Sequence, residues 1–175
     1  MRRSLAVALA AVAVACIARA DEPPKQAPNL VLTAPDGKQT YDLSKLTADG
    51  PVLVRLTCAC SGCDQELPYF QKLQAGYEAK GLKTLAAFQE KPEAAGQYVA
   101  KKDIRFLWVA DPKGDLWKTF DTKVMPTNIL VDKGGRVVKV LKGCTKDGKN
   151  AQLMSAEIAR ILQTPEVQVV DPPKK

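Results

Sequence analysis

The chain has 175 residues, 46% of them hydrophobic and 26% charged, which excludes a wholly disordered or collagen-like chain and fits one globular domain. It contains no histidine, and that removes Ser-His-Asp and Cys-His catalysis, histidine metal sites and a histidine base. The net charge of +7 comes from scattered lysines and the aromatic content is 6%, so neither a basic run nor a stacking platform for nucleic acid is present.

In chain order, residues 1–20 combine a basic start at Arg2 and Arg3, an apolar run from Leu5 to Ala18, and a small-x-small cleavage site at Ala18-Arg19-Ala20. This is the three-part pattern of a secretory signal peptide, and it predicts a periplasmic or otherwise extracytoplasmic protein. Cys16 at the end of a loose lipoprotein box offers lipidation as an alternative, and an uncleaved leader is another. Removal of the leader lowers the net charge to +4. Residues 21–28 read as a polar, proline-rich linker, 29–164 as the folded domain, and 165–175 as a flexible tail.

Within the domain, Leu30–Thr33 and Lys38–Tyr41 flank a Pro-Asp-Gly turn and predict a hairpin. Val52–Leu56 is an apolar run suited to a central, doubly covered strand. Cys63–Lys80 carries Leu67, Phe70, Leu73 and Tyr77 on one helical face and stops at Gly81. A strand at Leu82–Phe88, a helix at Pro92–Lys102, a strand at Ile104–Val109 and a short helix at Asp111–Phe120 follow. Thr127–Val131 and Arg136–Leu141 flank Gly134-Gly135 as a second hairpin. Ala151–Gln163 closes the domain as a helix. The alternation predicts a three-layer α/β domain, with a central mixed sheet, helices on both faces and an N-terminal hairpin extension.

The chemistry is concentrated in the cysteines. Cys58, Cys60 and Cys63 fall within Leu56-Thr57-Cys58-Ala59-Cys60-Ser61-Gly62-Cys63, between a buried strand and the start of a helix. A helix N-terminus presents unpaired N–H groups and partial positive charge, which favour a thiolate. A second cysteine three residues on lies one turn deeper and is placed to resolve a mixed disulfide. A structural disulfide gains little from so short a loop. A zinc or copper site drawing on Cys58, Cys60, Cys63 and Cys144 remains an alternative, all-thiolate reading.

From Ala27 to Gln163 the sequence resembles the extracytoplasmic thioredoxin-like reductases of the TlpA/ResA type, within the wider redoxin group. The residues that carry the resemblance are Asp36-Gly37-Lys38, Pro51-Val52-Leu53-Val54, Cys60-x-x-Cys63-x-x-Glu66-x-Pro68, Val124-Met125-Pro126-Thr127, and Ile129 to Asp132 with Gly135 to Val138. The resemblance implies a thioredoxin-like fold and a thiol–disulfide oxidoreductase acting on protein disulfides. Cys60 would be the attacking thiolate and Cys63 the resolving thiol, with their shared disulfide as the redox centre and no other cofactor. Pro126 would be in cis beside the pair, Met125, Pro126 and Thr127 would form the substrate-binding edge, and Glu66 would support the site. Protein thiol or disulfide substrates and a membrane-borne electron donor or acceptor would be the partners, and the chain would act as a monomer.

The departures from that pattern are Ala59 where an aromatic residue is usual, Ser61-Gly62 in place of a proline-containing pair, and Cys58 as an extra thiol. Arg55 either stabilises a nearby thiolate or packs its stem while its head reaches solvent. Strand topology brings Cys144 back to the cysteine end, where it serves as a partner for Cys58, a resolving thiol, a metal ligand or a small buried hydrophobe. A peroxiredoxin-like peroxidase is the competing enzyme: Thr57-x-x-Cys60 matches part of a peroxidatic motif, but Leu53 stands where that motif has proline.

Overall fold

The computed structural model describes residues 25–171. The expected leader, the lipidation site at Cys16 and residues 172–175 lie outside the described residues. No helix among the described residues is long and apolar enough to cross a membrane. The elements are β1 (Val31–Thr33), β2 (Thr40–Asp42), α1 (Leu43–Asp49), β3 (Val52–Thr57), α2 (Ser61–Tyr77, followed by a single 3-10 turn), β4 (Lys83–Phe88), α3 (Pro92–Lys101), β5 (Leu107–Ala110), α4 (Asp115–Thr119), β6 (Thr127–Val131), β7 (Val137–Lys142) and α5 (Lys149–Leu162).

β1 and β2 form a separate antiparallel hairpin, and the main sheet has the order β5-β4-β3-β6-β7. β3, β4 and β5 run parallel, while β6 and β7 return antiparallel. This is the expected three-layer thioredoxin-like architecture. All six residues of β3 are buried, as a strand covered on both faces requires. Side chains alternate across it. Leu53 joins the layer of α2, α3 and α5, around Phe70, Leu73, Tyr77, Met154 and Ile158. Val52, Val54 and Leu56 join the opposite layer, around Leu43, Leu116 and Trp117. Each layer holds one tryptophan, Trp108 against the first and Trp117 within the second.

The structure departs from the sequence reading at several element ends. α1 has no counterpart in the sequence pattern. Its seven residues are too few for a clear period, and its start is marked by the Asp42 carboxylate accepting from Ser44 N at 3.0 Å. α4 begins at Asp115 rather than Asp111, because Asp111 acts from outside the helix: its two carboxylate oxygens accept from Asp115 N and Leu116 N, both at 2.9 Å. β5 starts at Leu107, three residues later than expected.

Both terminal boundaries need correction. Residues 25–28 are not a free linker, since Gln26 bridges Arg136, and Ala27 N donates to Gly135 O at 2.8 Å. Gly135 has a φ of +87°, so the turn before β7 needs glycine for its conformation. Residues 165–170 are not a flexible tail. Val169 is 2% exposed, and Val167 packs on Gly76. Val167 N donates to Tyr77 Oη at 2.8 Å, and Ser155 Oγ donates to Val167 O at 2.6 Å. Burial of these valines, alternating along the segment, ties it to α2 and α5.

Candidate active site

β3 ends at Thr57, and the next six residues carry three cysteines to the start of α2. Cys58 is buried and Cys60 is exposed as the residue preceding α2, where its carbonyl accepts from Asp64 N at 2.9 Å. Cys63 is buried one turn into the helix. The sulfurs of Cys58, Cys60 and Cys63 all lie within 4.8 Å of one another. The sequence reading pairs Cys60 with Cys63. In the structure the bonded pair is Cys58–Cys60, with Cα atoms 5.3 Å apart. Cys63 is free, and its Sγ is 3.4 Å from Cys58 Sγ.

Cys144 is a free, exposed thiol on the loop after β7. A Cβ built on Gly62 would stand 3.4 Å from its sulfur, so Cys144 sits against the first turn of α2. The β6–β7 register accounts for this, since Thr127 opposes Lys142 at the cysteine end of the sheet. Cys144 is not bonded to Cys58.

The peptide bond at Met125-Pro126 is cis. Because Thr127 pairs with Leu56, Pro126 lies beside the exit of β3. Its carbonyl accepts from Gly143 N at 2.8 Å, which joins the proline loop to the Cys144 loop. Met125 is half-buried and Thr127 is buried. The Thr127 hydroxyl donates to Val124 O at 2.7 Å, so that group is spent on the loop itself. Beside Met125 a cleft of about 560 Å³ is lined by Gln89, Trp117 and three lysines, Lys113, Lys118 and Lys123.

Beneath the cysteines lies a buried ion pair. Arg55 projects from β3 on the same face as Leu53. Its Nη2 is 3.2 Å from Glu66 Oε2 on α2, and its Nη1 donates to Asn128 Oδ1 on β6 at 2.8 Å. The guanidinium carbon stands 3.9 Å from the centre of the Phe70 ring. Both members of the pair are almost wholly buried. The Arg55 head does not reach solvent, which corrects one of the two readings given to it. Burial pulls the Arg55 pKa below the usual arginine value, while Glu66 first and Cys63 second favour its charge. Glu66 Oε1 also accepts from Thr145 N at 3.3 Å, which ties α2 to the residue after Cys144.

A second polar group flanks the first turn of α2. Asp64 lies 2.7 Å from Lys102 Nζ and accepts from Tyr98 Oη at 2.9 Å. Those hydrogen bonds, the Lys102 one foremost, hold the Asp64 carboxyl below the usual carboxylate range. Burial, then the bond to Asp64, pushes the Tyr98 hydroxyl well above the usual tyrosine value.

Glu90, Asn128 and Tyr98 were not singled out from the sequence. Glu90 Oε1 accepts from Ala59 N at 2.8 Å, between Cys58 and Cys60, and its Oε2 is buried without a partner. The signal for Glu90 is topological. Phe88 pairs with Thr57, so the residues that follow each strand meet at the same end of the sheet.

Taken together, an exposed sulfur at a helix start, a buried sulfur one turn in and an exchangeable disulfide between neighbours are suited to thiol–disulfide exchange. Comparison with known proteins points the same way. The redoxin family model matches residues 22–156. The thiol-disulfide oxidoreductase ResA of Bacillus thuringiensis subsp. konkukian is 32% identical over 120 residues, 68% of this chain and 69% of its own. The ResA of Halalkalibacterium halodurans is 30% identical over 128 residues, covering 73% and 70% of the two chains. Among solved structures, a putative thiol:disulfide interchange protein DsbE from Chlorobium tepidum superposes with a TM-score of 0.72 at 26% identity, over 81% of this chain and 98% of that one.

Proposed function

The chain belongs to the redoxin family and is an oxidoreductase of the ResA thiol–disulfide kind, and on that premise we propose that it exchanges disulfides with protein substrates outside the cytoplasm through Cys60 and Cys63. The observation that carries the reading is the contrast between the two sulfurs: Cys60 exposed ahead of α2, Cys63 buried one turn deeper. Cys60 attacks a substrate disulfide and forms a mixed disulfide. Cys63 then attacks Cys60, releasing the substrate as a thiol and leaving Cys60 and Cys63 joined. The redox centre is that disulfide, with no further cofactor.

Glu66 and Arg55 act as positioning residues beneath the pair, holding α2 to β3 and β6. The substrate chain lies along Met125-Pro126, with the lysine-lined cleft at its flank. Action outside the cytoplasm rests on the leader pattern of residues 1–20. The test is reduction of insulin disulfides. Cys60→Ser abolishes it, and Cys63→Ser combined with Cys58→Ser, which leaves Cys60 with neither neighbouring thiol, accumulates mixed disulfides with substrate. Undiminished turnover by the Cys60→Ser protein overturns the assignment of the nucleophile.

A second reading draws on the three sulfurs within 4.8 Å of one another, which in the reduced state could supply soft ligands for Cu(I) or Zn. Metal content of protein purified under reducing conditions separates the two. A peroxidase is separated by consumption of hydrogen peroxide.

A further inference from the structure

We propose that Cys58 is a third redox thiol of this site: the disulfide that it shares with Cys60 passes to Cys63, and Cys60 is released as the free thiolate at the head of α2. The proposal rests on the thiol–disulfide reading given above and adds to it a residue outside the Cys-x-x-Cys pair.

Three observations carry it. Cys58 is the partner that Cys60 holds in the structure. Cys63, the free thiol, already lies 3.4 Å from Cys58 Sγ, near van der Waals contact. Burial separates the roles, since Cys58 and Cys63 are 6% and 2% exposed while Cys60 faces solvent. An external thiol reaches Cys60 and is kept from the other two. The Cys58–Cys60 bond closes a loop of a single intervening residue, so it restricts the unfolded chain little and is poorly suited to a structural role. Glu90 holds the intervening Ala59 N–H, so the backbone between the two sulfurs stays in place and the bond can move by side-chain rotation.

The step balances within the chain. Cys63 gives up its proton to solvent, and its sulfur attacks Cys58 Sγ. A Cys58–Cys63 bond forms, and the Cys58–Cys60 bond breaks. The electron pair of the broken bond leaves with Cys60, whose thiolate keeps its charge at the helix start or takes a proton from solvent. No oxidant or reductant is consumed, and the protein holds one disulfide before and after. The exchange moves the free thiol from the buried Cys63 to the exposed Cys60. Its consequence for function is that the oxidised protein still offers a nucleophile. Cys60 can open a substrate disulfide while Cys58 and Cys63 keep the oxidising equivalent.

The test maps the bond in the full, unmodified chain. The one-disulfide protein is prepared with glutathione disulfide, quenched in acid and labelled with a first alkylating reagent. It is then reduced and labelled with an isotopically distinct second one, and fragmentation mass spectrometry locates each label. We expect a substantial share of molecules to carry the second label on Cys58, their first label dividing between Cys60 and Cys63, with the Cys60–Cys63 form making up the rest. A first label on Cys58 in essentially all molecules overturns the proposal, as does a first label confined to Cys63. A variant gives an independent reading. Oxidised Cys60→Ser protein should have Cys58 and Cys63 joined and Cys144 free; Cys58 and Cys63 both free overturn the proposal. Insulin turnover by the wild-type protein is measured alongside. Its failure would count against the enzyme reading, whereas the label map alone decides the place of Cys58.

Discussion

Arg55 carries more of the site than its place in an apolar strand suggests. It is a full charge beneath the cysteines, paired with Glu66 and Asn128 and stacked on Phe70. Removing one member of such a pair leaves the other buried and uncompensated. Arg55→Met is therefore expected to lower stability by about 3–5 kcal/mol, and Arg55→Met with Glu66→Leu by less than the two single changes together, read from urea midpoints. Glu90 acts differently, through one hydrogen bond to Ala59 N. Glu90→Ala should slow insulin reduction, and Glu90→Gln, which keeps an acceptor oxygen, should restore most of the rate at unchanged urea midpoint. The cysteines were legible in the sequence because three fall in a strand-to-helix connection. Arg55 was ambiguous because one residue in a strand does not say what faces it. Glu90 was hidden because its partner lies 31 positions away, across a parallel strand pair.

At the scale of elements, local pattern and long-range contact divide what the sequence reveals. β6 was placed to the residue, and α2, α3 and α5 to within a few, because each has a clear period and a stop. The tail is illegible in the sequence for the opposite reason. Its valines have no partner in sequence, and only the meeting of α2 with α5 creates the surface they cover. Gly76 on α2 leaves room for Val167, and Tyr77 supplies the hydroxyl that receives its N–H. Val169→Ala removes two buried methyl groups and should cost about 1.5 kcal/mol at about 0.8 each. Truncation after Gln163 should cost more, lowering the thermal midpoint further than Val169→Ala does. An unchanged midpoint after truncation would show that the segment contributes nothing to the fold.

Across the whole molecule, the absence of histidine fixes how stability depends on pH. Asp42, Asp49, Asp64 and Asp115 are held below the usual carboxylate range, foremost by hydrogen bonds from Ser44, Lys83, Lys102 and Lys118 respectively. A carboxyl lowered in the folded state contributes stability that is fully present above its unfolded value of about 3.9. That contribution is lost as pH falls through the lower, folded value. Stability should be flat from about pH 5 to 8, where no side chain has an ordinary pKa in a chain without histidine, and should fall below about pH 4. Urea midpoints across that range test it. Any change of activity between pH 6 and 8 at constant stability then reports on the thiols. The two layers can also be followed by light. Trp108 lies against the helical layer that holds α2, and Trp117 lies in the layer across the sheet. Each Trp→Phe variant leaves one emitter, so its fluorescence reports one side of the sheet alone. If the layers melt together, each variant's emission will change at the same urea concentration as its own circular dichroism. A gap in one variant and not the other names the side that loosens first.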